Sequence, residues 1–381
     1  MSAVILELLI LMFFVLASVL VKKENRFFIL GAFLIFCFMS LKNFHPSMVD
    51  INMEDMVQYI DFYMGDPDSM YGIPLDKDSE IEPGLGLVCK ALGFLPKSEF
   101  FFVLVMRLIC LVPVFYAIWK HSYQKCGSLF LLLTMPGLFL VEMITLRQAL
   151  AMSCIMMAVL VWLERPKYWL AWALFALGYA SITHSTSLVA LPLLVAIYFI
   201  PFHRYVFASA LLLSGVLAGV FASRIAGAFV SVFAPLESLS RMTDYVVFET
   251  YSTGEDSPLL FLGYAVIGMA FVWFADQKDS RHIFFVKTMS AAIFIFNILG
   301  RYPLVDRLTA PLFFIGLVGA FPRRDDGAET PPYRRLSFWV FLGCMGFLFM
   351  KDYLIYSADK GPFQPYHFIF EKPVLWMFQS L

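Results

Sequence analysis

The chain has 381 residues, of which 60% are hydrophobic and 15% charged, whereas soluble domains carry roughly 25% charged residues. Its formal net charge of −1 says little by itself, since basic and acidic segments average out, and no nucleic-acid partner is expected. The cysteines are six, scattered without CxxC pairs, which excludes a disulfide scaffold and a zinc-finger-like site.

About 20 predominantly apolar helical residues cross a bilayer, and roughly twelve windows of that kind follow one another along the chain. They fall near 3–21, 26–41, 99–118, 128–144, 148–163, 168–182, 186–200, 203–222, 257–275, 282–299, 303–321 and 336–354. The expected fold is an all-α polytopic integral membrane protein, with residues 1–381 forming a single membrane domain. The first run starts at Ala3, and its basic cluster, Lys22, Lys23 and Arg26, comes after it. A cleaved secretory signal has the reverse order, so this span is read as retained, with its N-terminus outside.

Alternation from that start puts loops near 22–26, 119–126, 164–167, 201–204, 276–281 and 322–335 on the cytoplasmic side. These loops hold most of the loop lysine and arginine, as the positive-inside rule requires. The outer loop at about 43–98 is instead acidic from Asp50 to Glu82. Within it "EDMVQYIDFYM" puts Met56, Ile60 and Tyr63 on one helical stripe, and "GLGLVCKALGFL" is apolar but too short to span. Both are expected to lie along the outer leaflet. A second outer loop, about 223–256, repeats Ile225, Phe229 and Phe233 at helical spacing up to Pro235.

The penultimate span opens "LGRYPLVDRLTAPLFF", with Arg301 before Pro303 and Arg307 one turn inside. Proline suits the first helical position, and a helix N-terminus presents unpaired N–H groups and a partial positive charge that favour an anion. "TLRQALAMS" sets Arg147 at the outer start of another inward-running span. "ITHSTSLVALP" does the same for His184, with Ser185 or Thr186 as N-cap. Each residue has a plainer reading: Arg147 paired with Glu142, Arg301 or Arg307 with Asp306, His184 as a hydrogen-bonded helix-end residue. Intramembrane charges are functional candidates by default, and the grouping at one depth is accounted for by a shared anionic ligand. Arg107 and Lys287, within spans, are read as structural.

The outer carboxylates suited to acid or base work are Glu82, Asp50, Glu54 and Asp55. "DPD" at Asp66–Asp68 resembles a metal-binding acidic pair, but oxygen-only sites need more ligands, and no metal or other cofactor is expected. P-loop, GxGxxG, HExxH and GxSxG motifs are missing from the sequence.

In chain order, Asp55, Tyr59 and Tyr63, then Glu82-Pro83-Gly84, "LRQALA", "THSTSLVALP" and the arginine-led "DRLTAPLFF" together resemble the EpsG-like branch of Wzy-type polysaccharide polymerases. That resemblance implies a GT-C-like glycosyltransferase of the bacterial inner membrane, joining oligosaccharide repeat units carried on undecaprenyl diphosphate outside the cytoplasm. It implies Arg147 at the family's "LRQ" arginine, His184 at its "H-S" position, Arg307 at the late-span arginine and Glu82 at the acidic entry before the glycine. The chain departs from the family at Pro311-Leu312-Phe313, where a Tyr-Phe pair often follows.

The expected roles are therefore a diphosphate clamp of Arg147, Arg301 and Arg307, and a general base at His184 or Glu82. Expected partners are donor and acceptor lipid-linked oligosaccharides, membrane lipids and a Wzz-type chain-length regulator. A flippase for the same lipids would also need arginines for diphosphate, but it would line the whole membrane with polar groups and often shows repeated halves. An O-antigen ligase differs only in its acceptor.

Overall fold

The computed structural model describes residues 24–41, 55–64, 83–94, 97–134, 146–164, 176, 187–217, 258–299 and 303–321. Every regular element among these described residues is a helix. The chain divides into two compact units, the first comprising residues 1–120, 125–187 and 349–381, the second residues 121–124 and 188–348. The windows at 3–21, 168–182 and 336–354, and the loop 223–256, lie wholly or almost wholly outside the described residues.

The first unit contains α1 (Glu24–Ser40), α2 (Asp55–Met64), α3 (Pro83–Ala91), α4 (Glu99–His121, less its last residue), α5 (Lys125–Thr134) and α6 (Leu146–Glu164). A 3-10 turn, Leu92–Phe94, extends α3. Helices α4 and α6, of 23 and 19 residues, are long and apolar enough to cross a membrane. α4 shows how such a helix divides its surface. Phe102, Met106, Cys110, Val114 and Ala117 are buried in protein, while Leu108, Val112, Tyr116 and Trp119 form an exposed apolar stripe. That stripe would be costly in water and is suited to lipid. α6 is apolar around nearly its whole circumference and accordingly buried; Ser153 on it donates a hydrogen bond to the Cys110 carbonyl of α4. α1 packs on α5, and Phe28 lies 5.6 Å from the Trp119 ring.

The sequence reading set the Met56–Ile60–Tyr63 stripe against the outer leaflet. In the structure all three side chains are buried, at no more than 2% exposure, and α2 touches α6. An amphipathic helix buries its apolar face against whatever hydrophobic surface is adjacent, and here protein supplies it.

The second unit contains α7 (Ser187–Phe199), α8 (Arg204–Leu217), α9 (Pro258–Phe274), α10 (Ser280–Leu299) and α11 (Pro303–Gly319). α10, of 20 residues, is long and apolar enough to span, and α8, α9 and α11 are shorter apolar helices. α10 and α11 are in extensive contact, and glycine allows it. A Cβ on Gly316 would stand 2.8 Å from the Met289 Cα and 2.9 Å from its nitrogen, and one on Gly319 would strike the Phe285 ring. Close backbone approach through small residues is a principal source of helix association in lipid, where the hydrophobic effect between spans is absent.

Three basic side chains of this unit close helix C-termini. Lys287 Nζ donates to the Tyr198 and Ile200 carbonyls at the end of α7, both at 2.8 Å. Arg204 Nη2 donates to the Ala275 carbonyl just past α9 at 3.3 Å, and His282 Nδ1 lies 2.7 Å from the Gly319 carbonyl of α11. The last carbonyls of a helix have no intrahelical donor; all three side chains fill that gap, and the Lys287 and Arg204 groups also complement the helix dipole. The structural reading of Lys287 thus has its physical reason. These are also the helix ends that the charge asymmetry assigns to the cytoplasmic side. Asp279 caps the N-terminus of α10, accepting from the Arg281 and His282 amides at 2.9 and 3.3 Å, and also accepts a hydrogen bond from Tyr123. Burial alone would raise its carboxyl, but these hydrogen bonds hold it below the ordinary aspartate value.

Candidate functional site

Arg147 is the second residue of α6, in the first turn, half-buried. Its Nε donates to the Tyr59 hydroxyl at 2.9 Å, across 88 residues of sequence, and its guanidinium carbon lies 5.6 Å from the centre of the Tyr59 ring. Tyr59 is 4% exposed. A guanidinium held by a phenol keeps its charge within an apolar setting, and the flat ring favours a fixed plane for it. The structure therefore puts the acidic-loop helix α2 directly on the arginine of the "LRQ" segment.

α2 is itself pinned through Tyr63. That ring stacks on Phe102 of α4 with centroids 4.6 Å apart, and its hydroxyl donates to the Leu92 carbonyl at 3.3 Å. Lys97 Nζ donates to the Tyr63 carbonyl at 2.6 Å and sits 4.3 Å from the ring centre. Three separate stretches of the outer loop, α2, the turn after α3 and the approach to α4, are tied together at one tyrosine. Burial also pushes the Cys89 thiol of α3 up to about 11, with Lys97 pulling the other way. At neutral pH that cysteine is a protonated packing residue, since the thiolate is the nucleophile.

Of the remaining candidates, Glu82, His184 and Arg301 lie outside the described residues, as do Asp50, Glu54, Asp66, Asp68 and Glu142. Their neighbours are described. α3 begins at Pro83, α7 at Ser187 and α11 at Pro303, the last as the sequence predicts. Arg307 is on the first turns of α11, where its backbone is helical. Arg147 belongs to the first unit and Arg307 to the second. Arg107 of α4 is completely buried. Among the described residues, no three His, Cys, Asp or Glu side chains come close enough to hold a metal ion.

Tyr59 is the site neighbour that the sequence alone did not assign. It appears in the Asp55–Tyr59–Tyr63 pattern that carries the family resemblance, but the helical stripe read from the sequence was Met56, Ile60 and Tyr63. Its partner was not readable, because residues 88 apart in the chain share no local periodicity.

The described residues are all helical in their regular elements and include three helices long and apolar enough to cross a membrane, features of a membrane protein. A family model described as the EpsG family matches residues 50–368, and the chain belongs to that family. The match covers α2 through α11 and points to a polysaccharide-polymerase type of function. No curated protein and no solved structure matches the chain.

Proposed function

We propose that the protein polymerises undecaprenyl-diphosphate-linked oligosaccharide repeat units at the outer face of the bacterial inner membrane, by glycosyl transfer with undecaprenyl diphosphate as leaving group. The observation that carries this reading is Arg147, half-buried at the start of α6 and oriented by Tyr59, in a chain of the EpsG family. Nucleotide sugars are not present outside the cytoplasm, so a transferase there needs a donor already activated on lipid.

As the sugar C1–O bond breaks, its electron pair goes to the diphosphate. Arg147, Arg301 and Arg307 are the residues we assign to the clamp that would stabilise the growing negative charge where water is scarce. The attacking group is a hydroxyl at the non-reducing end of a second lipid-linked unit, whose oxygen bonds to C1. Its proton goes to a general base within hydrogen-bond reach. His184 is the first candidate, because an unperturbed imidazole titrates near working pH, and Glu82 is the second. A chain-length regulator of the Wzz type would act on the same growing polymer.

Reconstitution tests the proposal. Purified protein in lipid, supplied with a diphosphate-linked oligosaccharide and with neither nucleotide nor added metal, is expected to yield a ladder of products that persists in the presence of a chelator. Translocation of the lipid-linked substrate without any ladder would instead support the flippase reading.

A further inference from the structure

We infer that Tyr59 is a positioning residue for Arg147, setting the plane in which that guanidinium receives the diphosphate; the inference rests on the assignment of Arg147 to the clamp. Arginine carries N–H groups on Nε and on two terminal nitrogens. Whichever edge meets an oxyanion, a hydrogen bond at Nε fixes the rotation of the whole planar group. The Nε–Tyr59 bond of 2.9 Å and the 5.6 Å separation from the ring do this.

Tyr59 can act in this way because it is not mobile. It is 4% exposed, and its helix neighbours Met56, Ile60 and Tyr63 are buried with it. Tyr63, one turn further on, is stacked on Phe102 and held by Lys97. A phenol on a surface loop would impose little on an arginine; a phenol on a helix locked to α4 and α6 imposes its own geometry. The oxygen is the acceptor here, so phenylalanine keeps the ring and removes only the element of control.

The experiment measures the affinity of the purified full chain in lipid nanodiscs for farnesyl diphosphate, a short-chain lipid diphosphate. Tyr59→Phe is expected to weaken binding roughly three- to tenfold, and Arg147→Ala roughly ten- to a hundredfold, the ranges for losing a neutral and a charged hydrogen-bond partner. The double variant should bind no more weakly than Arg147→Ala alone, because a residue acting through another has nothing left to position. Tyr59→Phe should keep the thermal midpoint of the unsubstituted protein, separating orientation of Arg147 from general loosening of the helix. Tyr59→Leu, tested in parallel with the thermal midpoint recorded, should weaken binding like Tyr59→Phe and guards against loss of fold in one variant. Normal binding by Arg147→Ala would remove the clamp assignment, and the inference with it. Weak binding by Arg147→Ala with normal binding by both Tyr59 variants, or additive losses in the double variant, would overturn the inference alone.

Discussion

Arg147 is the candidate site residue whose surroundings are described: its charge is held in a half-buried setting by a neutral phenol. Loss of a donor that stabilises developing negative charge commonly costs about 100- to 1000-fold in rate. Arg147→Ala is therefore expected to abolish long polymer while the protein still inserts, as read from the length distribution of the product and the amount of protein in the membrane. Arg147→Lys should rescue poorly, since lysine has no Nε to meet Tyr59 and no planar fork; near-normal polymer in either variant would remove Arg147 from the site. Arg147 was legible as a candidate from its place at a span's start in an apolar chain. Tyr59 was legible only as part of the family pattern with Asp55 and Tyr63, since nothing local in either stretch connects it to Arg147.

At the scale of elements, Pro303 opens a helix as the sequence reading expected, and Pro83 and Pro258, which that reading did not single out, do the same, as a residue with a preset φ and no N–H to leave unpaired should. The short apolar segments of the acidic loop were also readable as helices, but what they would lie against was not. Amphipathicity specifies that a face is to be covered, whereas the covering surface depends on distant segments. The packing of α11 on α10 belongs to the same class. A methyl group at Gly316 would meet the Met289 backbone, which cannot rotate away. Gly316→Ala is expected to cost about 1–3 kcal/mol, the usual penalty of overpacking, and to lower the thermal midpoint in detergent; an unchanged midpoint would mean that the two helices separate without loss. Lys287, Arg204 and His282 add a second lesson, because each basic side chain closes a helix other than its own.

Over the whole molecule, the positive-inside asymmetry makes a claim that labelling can check. A cysteine placed at Asp66, in the acidic loop, should react with a membrane-impermeant maleimide added outside intact spheroplasts, and one placed at Asp325, between Arg324 and the basic pair Arg334–Arg335, should react only after lysis. The reverse pattern would turn the molecule over and move the proposed site into the cytoplasm. The amino-acid sequence by itself determined that the chain is rich in apolar helices suited to a membrane, that a helix opens at Pro303, and which family it belongs to. Those properties are written in composition, in periodicity and in short motifs that lie within one or two turns of chain. Tertiary structure alone decided that α2 is covered by protein, that Tyr59 holds Arg147, and that the basic groups of the second unit close the ends of neighbouring helices. Each of those depends on side chains meeting across tens of residues, where the free energy of contact is set by packing that no local window contains.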